Sequence, residues 1–503
     1  MTVACAHRGD SSRYRENTVV AIESAIKSGA AIVEIDVRIS KDGEVVVLHD
    51  PTLERMWGLE KPITEVTWPE IQKLGHDNLR IPLLKEVLSL FENSECILMI
   101  DMEEQYPARQ AWEVAKNSSA TIYWCGDLDG MKIIRSLDPK AHIWMPWNDT
   151  VAITKSDIEE LKPDFINSQY SFLTKAKVEA IHELGCKVSV WTVDDEATMR
   201  WAKAIGIDSI TTNELALLQK VLKETPPTAK TYSSIDDVEV DQAMKVARDL
   251  GKWAIGFSRW WNPVQIQTKK NAADIVTEVD LLIEAHIREV ISTNFPGHHF
   301  LGEEFGGTYK ENIAAWYLDP VDGTTNFANR MPWSSMSLAL AFNRTPLIGI
   351  VIDPWRDDLF EAQRNKGAYH NGTKLKLEKV EVDNPLASRI VSTELAAYQP
   401  WPGMLKLLEL LAENFCTMRI MGSGTLTLTG IALNRGVGAV IGHYSPIDHL
   451  AACIIVHESG GVVMDETGTL NLFPEKGGIM TASPAAAQKL YALWMKAIVT
   501  SQY

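Results

Sequence analysis

The sequence predicts two αβ domains in one chain, a (β/α)8 TIM-like barrel followed by a layered α+β domain. From residue 3 to about residue 220, short apolar runs alternate with helical patterns eight times, which is the arithmetic of a barrel. An aperiodic stretch with two prolines follows, and beyond it long helices and a meander of strands replace the alternation. A length of 503 residues suits two large domains better than one core.

The barrel strands are read at 3–7, 32–37, 97–102, 121–125, 142–147, 165–169, 188–193 and 209–212. The segments between them carry apolar residues at helical spacing, such as 18–28 closed by Gly29 and 175–184 closed by Gly185. An extra strand at 44–49 follows the second barrel strand across Ser40-Lys41-Asp42-Gly43, which predicts a hairpin hung on that strand. The domains are placed at 1–222 and 237–503, with a linker at 223–236 around Pro226-Pro227. In the second domain, helices are expected at 236–259 and 280–293 and strands at 316–318, 337–342, 349–352 and 359–363, with no repeat relating the halves.

Acidic residues outnumber Lys plus Arg by 66 to 49, a formal charge of −17, which excludes a partner that tracks nucleic-acid phosphates. No apolar run is long enough to cross a membrane and the start has no leader pattern, so a soluble, cytoplasmic protein without membrane insertion is expected. The six cysteines form no CxxC pair and sit in apolar stretches, as reduced, buried thiols do.

Two constellations carry chemistry. In a barrel the reacting groups belong at the carboxyl ends of strands, where the first strand ends in His7-Arg8-Gly9 and the second carries Glu34-Ile35-Asp36. Glu34 and Asp36 share one strand face, and two carboxylates aimed together call for a hard divalent cation, Mg²⁺ or Ca²⁺. The hairpin returns His49-Asp50 to the same rim, so two imidazoles, an arginine and a carboxylate-held metal suit acid/base cleavage of a phosphate ester. In the second half, Asp319-Pro320-Val321-Asp322-Gly323-Thr324 places two aspartates three apart, with proline and glycine expected to force a turn between them. Gly302-Glu303-Glu304 and Ser445-Pro446-Ile447-Asp448 add carboxylates beside other turns or helix starts, a donor set for a pair of metals.

The order of His7-Arg8-Gly9, Glu16-Asn17-Thr18, Glu34-Ile35-Asp36, Lys41-Asp42-Gly43, His49-Asp50, Ile81-Pro82-Leu83, Val190-Trp191-Thr192 and Ile210-Thr211-Thr212-Asn213 resembles the glycerophosphodiester phosphodiesterase family over about residues 2–222. The resemblance implies His7 and His49 as the acid/base pair, Glu34 and Asp36 as metal ligands, and Arg8 and Glu16 as supports of the phosphate and metal site. Trp191 is left with two readings, an apolar wall beside substrate or a core-packed ring. Where the family usually has I-E-x-K, this chain has Ile100-Asp101-Met102-Glu103. Asp101 still suits a metal, whereas Glu103 reverses a charge and is either compensated locally or a sign of altered or weakened activity.

The second half is similar to the inositol monophosphatase superfamily of Mg²⁺-dependent, lithium-sensitive sugar phosphatases, an αβαβα fold. The motifs are Lys269 with Asp274-Ile275-Val276-Thr277-Glu278-Val279-Asp280, Gly302-Glu303-Glu304, Asp319 through Phe327, Gly349 through Pro354, Gly422-Ser423-Gly424-Thr425, and Asp448 through Gly461. This likeness implies two or three Mg²⁺ held by Glu303, Asp319, Asp322, Asp448 and the Val321 carbonyl. It also implies Asp280 and Thr324 orienting water, and Lys269, Gly323, Thr324, Gly422 and Ser423 around the phosphate. Ile441 stands where inositol-specific members place a glutamate, and it cannot accept a hydroxyl hydrogen bond. The expected protein is a bifunctional phosphohydrolase of lipid metabolism acting on small phosphate esters, a homodimer through the C-terminal half being left open. The alternative is an active phosphatase joined to a barrel that only binds or regulates.

Overall fold

The computed structural model describes residues 1–260, 266–268, 275–378, 383–396 and 398–500. The chain forms two compact units, Met1–Pro227 and Thr228–Tyr503.

In the first unit, eight parallel strands close on themselves: β1 (Val3–Ala6), β2 (Ile32–Ile39), β4 (Ile97–Met102), β5 (Ile122–Gly126), β6 (His142–Pro146), β7 (Phe165–Gln169), β8 (Lys187–Trp191) and β9 (Ser209–Thr212). β1 pairs with both β9 and β2, which closes the barrel. The hairpin strand β3 (Val45–Val47) lies antiparallel to β2. All eight residues of β2 are buried, and it lies beside β1, β4 and β3, as expected of a strand packed on both faces. Cys5, Ile32, Met99, Cys125, Trp144 and Phe165 fill one layer of the interior, and the Trp144 and Phe165 rings stack 4.3 Å apart. Residues 46–83 build a satellite core under Leu53, Ile63, Ile71 and Ile81. The first helix, α1 (Val19–Lys27), starts at Thr18, whose side chain accepts from the Ala21 N–H.

The second unit alternates helices and sheets. α2 (Val240–Trp260) and α3 (Glu278–Asn294) cover one face of a seven-stranded sheet. From one edge inwards its strands are β10 (His299–Gly302), β11 (Ala314–Asp322), β12 (Ser335–Phe342), β13 (Thr345–Asp353) and β14 (Asp358–Gln363). The opposite face meets α5 (Gly424–Thr429) and α6 (Pro446–Glu458), an almost wholly buried helix. Beyond them lies a five-stranded sheet that includes β15 (Ile390–Thr393), β16 (Thr417–Ile420) and β17 (Gly438–Ile441). Gly349 lets α6 sit close on the sheet, since a Cβ there would lie 2.4 Å from Ile454 and 2.6 Å from the Ala451 carbonyl. All six cysteines are buried and unpaired.

Two details differ from the expectation. The second unit's first long helix begins at Val240, because Ile235–Asp237 form a short 3-10 turn that Asp237 caps onto Ser234. The segment from Asp319 to Asp322 is no turn: β11 runs through it and the register against β12 shifts, Asp319 opposite Ser337 but Asp322 opposite Ser335. The extra residue is a β-bulge. It sets the two aspartates on one face, where a regular strand would point residues three apart to opposite sides.

Candidate active sites

The barrel site grows out of register. β2 and β4 run parallel with Glu34 opposite Met99 and Asp36 opposite Asp101, so three carboxylates converge. Glu34, Asp36 and Asp101 each offer a ligand oxygen within 4.8 Å of the others, the one such acidic set among the described residues. Burial first, then Asp36 and Asp101, push the Glu34 carboxyl well above the usual range against the pull of Arg8. Asp101 is pushed up to about 7 by burial, then by Asp36 and Glu103. Glu34 Oε1 is buried without a hydrogen-bond partner. An orphaned carboxylate oxygen inside a cluster that resists ionising fits a divalent cation.

Arg8, in a left-handed conformation, is the organiser. Its backbone N–H donates to Glu34 Oε2 at 2.8 Å and Nη1 to Glu16 Oε1 at 3.0 Å, while Nε lies 3.1 Å from Asp36 Oδ2 without being aimed at it. Gly9 is required beside it, because a Cβ would collide with the backbone of Ala21 at 2.7 Å. Asn17 donates to Asp36 Oδ2 at 2.7 Å.

The two histidines are held differently. His7 Nδ1 lies 2.8 Å from Asn213 Oδ1, and that oxygen is fixed as an acceptor because Asn213 Nδ2 donates to Asp194 and Ser11 donates to Oδ1. Nδ1 therefore carries the proton, and Nε2, 4.0 Å from Glu34 Oε2, holds the lone pair. Burial and then Arg8 depress the His7 pKa. His49 instead has a carboxylate oxygen 2.7 Å from each nitrogen, Asp50 at Nδ1 and Glu103 at Nε2, so both ring nitrogens face an acceptor. Asp50 is anchored by Arg55, which also binds Glu16. Glu103 is compensated locally, by Arg38 as well as by His49. Trp191, at the end of β8, is 37% exposed, so the core-packed reading is corrected.

The C-terminal site gathers at the bulge. β10 and β11 are parallel with Gly302 opposite Leu318, which brings Glu303 level with Asp319. Burial, then Glu303, Asp322 and Asp448, all drive the Asp319 pKa up, and its carboxyl hydrogen-bonds that of Glu303. A buried carboxyl hemmed in by three more is a donor set that a divalent cation fits. Asp322 Oδ2 accepts from Ser423 Oγ and, at 2.8 Å, from the Thr425 N–H. Asp448 stands in the first turn of α6, and its carbonyl accepts from Thr425 Oγ1 at 2.5 Å. Thr324 Oγ1 lies 2.9 Å from the Val321 carbonyl and 3.4 Å from Asp280 Oδ1. Asp280 caps the start of α3 through both Thr277 donors, and burial raises it to about 7. Gly323 fits under the Gly422 carbonyl, which a Cβ would approach to 2.7 Å. Lys269 lies outside the described residues. Ile441 is buried in β17.

Two supporting groups escaped the sequence reading. Glu284, on α3, accepts from the Glu304 and Phe305 N–H groups and pairs with Arg288, so it fixes the loop that carries Glu303. The spacing Asp280, Glu284, Arg288 along one helix face was its signal. Glu394, just after β15, accepts from the N–H groups of Met421 and Gly422 and the hydroxyl of Thr427, which holds the loop around Ser423. Nothing in its local sequence marks it.

A closed parallel barrel with an acid-rich mouth and an αβαβα domain with carboxylates at a bulge define two phosphoric ester hydrolase sites on one chain. The inositol monophosphatase family model matches residues 236–501 and the glycerophosphoryl diester phosphodiesterase family model residues 7–217. The chain belongs to the inositol monophosphatase family, fused to a glycerophosphodiester phosphodiesterase domain, and is a bifunctional phosphohydrolase. An inositol monophosphatase of Dictyostelium discoideum is 31% identical over 244 residues, 46% of this chain and 88% of that protein. The Nus factor SuhB of Haemophilus influenzae is 34% identical over 219 residues, 43% of this chain and 80% of that one. The crystal structure of a glycerophosphodiester phosphodiesterase from Thermotoga maritima is 30% identical, with a TM-score of 0.39, covering 44% of this chain and 98% of that one.

Proposed function

We propose that the barrel hydrolyses a glycerophosphodiester to a phosphomonoester plus an alcohol, and that the second domain dephosphorylates a polyol or sugar phosphomonoester such as inositol or glycerol phosphate. The two domains, 1–222 and 237–503 joined at 223–236, would then act in series. The observation that carries the barrel reading is the contrast between its histidines beside one carboxylate cluster: His7 offers a lone pair at Nε2, and both ring nitrogens of His49 face a carboxylate oxygen. His7 takes a proton from the attacking water as its oxygen bonds to phosphorus, the bond from phosphorus to the leaving oxygen breaks, and His49 gives that oxygen a proton to release the alcohol. Arg8 and Glu16 keep the phosphate end of the cluster in place, and Trp191 faces the substrate's organic part. The pairing of Glu103 supports an active barrel over one that only binds.

Glu34, Asp36 and Asp101 would hold Mg²⁺ or Ca²⁺ in the barrel, and Glu303, Asp319, Asp322, Asp448 and the Val321 carbonyl would hold Mg²⁺ in the second domain; bound there, the cations neutralise phosphate charge and polarise its P–O bonds. In the second domain Asp280, raised by burial to about 7, takes the water's proton through the Thr324 hydroxyl as the water oxygen bonds to phosphorus. The bond from phosphorus to the ester oxygen breaks with that oxygen taking a proton from solvent, and the amides of Gly323 and Thr324 with Ser423 orient the phosphate. The buried Ile441 supports a broad polyol specificity in place of strict myo-inositol recognition.

The full chain, given glycerophosphoinositol with Mg²⁺, should release first a phosphomonoester and then inorganic phosphate in a time course followed by ³¹P NMR. A monoester that accumulates without phosphate release, for every diester accepted, refutes the series; no diester cleaved refutes the barrel reading.

A further inference from the structure

We propose that Arg38 is the cation that receives the phosphodiester in the barrel, held in place by Glu103; this rests on the diesterase reading above. Residues 34, 36 and 38 alternate onto one face of β2, so Arg38 rises from the face that bears Glu34 and Asp36, roughly 6.6 Å further along the strand towards the mouth. Its side chain is only 9% exposed, and a buried cation persists only where its edges are matched.

Two edges are matched firmly. Nε donates to the His49 carbonyl and Nη2 to Glu103. The third is not: Nη1 has a 3.5 Å contact with Glu104, whose side chain is 64% exposed. A long ion pair with a solvated carboxylate contributes little, so a phosphate oxygen can displace it. Arginine suits the task because its planar fork can be fixed along two edges and still present the third.

Glu103 ties this cation to the chemistry. One of its oxygens binds Arg38 and the other lies 2.7 Å from His49 Nε2, so a single carboxylate sets the guanidinium beside the proton donor. Without Arg38, an anionic diester entering the mouth would face the carboxylates of Glu34, Asp36, Asp101 and Glu103, a like-charge arrangement opposed mainly by Arg8. The negative residue at 103 is thus matched by a positive one on the neighbouring strand.

The test uses full-length protein with bis(4-nitrophenyl) phosphate as the diester probe and Mg²⁺ present. Thermal melting checks the fold of each variant. Arg38→Met should lower kcat/KM by roughly 10²-fold, the scale of losing one preorganised partner of a reacting oxyanion, and should raise the inhibition constant of inorganic phosphate. Arg38→Lys, which keeps the charge but not the fork, should lie between. The exchange Arg38→Met with Glu103→Lys should recover at least about tenfold of the loss, because it returns a cation to the same spot. Glu103→Gln should lower kcat/KM through misalignment. Arg38→Met near the parent rate, a double variant no better than Arg38→Met, or a Glu103→Gln variant faster than the parent would each overturn the proposal. A parent protein that cleaves no diester removes the diesterase reading instead.

Discussion

The barrel and the C-terminal site both concentrate carboxylates, yet they manage the charge in opposite ways. In the barrel, acids alternate with the protein's own cations: Arg8 touches Glu34, Glu16 and Asp36, Arg55 links Glu16 to Asp50, and Arg38 and His49 share Glu103. At the bulge, the strongest influences on Asp319 after burial are three more carboxylates, all raising its pKa. Among the described residues, arginines offset part of the barrel's acid cluster, Arg8 lowering the Glu34 pKa, whereas every leading influence on Asp319 raises its pKa. The difference teaches that two phosphoric ester hydrolase sites on one chain can surround their acidic clusters in different ways.

The largest effect expected from this contrast is on the less balanced site. Asp319→Asn should cut monoester hydrolysis by about 10³-fold, equivalent to losing several kcal/mol of charge stabilisation, and leave diester cleavage within about twofold. Phosphate release from inositol 1-phosphate, assayed beside diester cleavage in the same preparation, checks it. Equal loss in both assays would break the separation.

Next in size, His49→Ala should slow diester cleavage by roughly 10²-fold or more, as loss of a general acid does, with monoester turnover and melting temperature nearly unchanged. Steady-state rates with the generic diester probe decide it, and a near-normal rate takes His49 out of the chemistry.

A smaller effect is expected at Glu394, which acts through the loop it holds. Glu394→Leu should raise the monoesterase KM by about tenfold by freeing the Met421 and Gly422 amides, and Glu394→Gln should recover much of it because an amide oxygen still accepts. Unchanged kinetics in the leucine variant would reduce Glu394 to a structural residue.

The smallest effect concerns pH. Burial raises the Asp280 pKa to about 7 from its ordinary 3.8, so its ionisation opposes folding. The stability it contributes is present at low pH and is lost as pH rises from about 4 to about 7. With a chelator present, Asp280→Asn should therefore gain stability relative to the parent between pH 5 and pH 8, measured by urea unfolding at each pH. The opposite sign would mean that Asp280 is held by a partner at neutral pH.

Much of this was legible because the physics behind it is local. Buried parallel strands print as apolar runs, and the expected bounds of β4, β7 and β9 match the observed ones. Glu34 and Asp36 announce a shared face by their spacing alone, and Asp101 joins them through a pairing register that barrel closure dictates. Arg38 was legible in principle, since it continues the same alternation, but a single arginine in a strand carries no meaning until the hairpin and Glu103 are seen around it. The partners of Glu394 lie about 30 residues away across a crossover, a contact that no local pattern encodes. The bulge was misread as a turn because proline and glycine favour both, and the choice between them is made by the neighbouring strand β12.

That bulge makes the monoesterase site a matter of chain length as well as of residue type. One additional residue between Asp319 and Asp322 turns a pair of carboxylates that regular pleating would part into neighbours. A relative lacking that residue could retain every acidic side chain in order and still have no centre, and a comparison that counts matching residues without their spacing would not notice. In this strand the spacing of the acids, and not their identity alone, makes the centre.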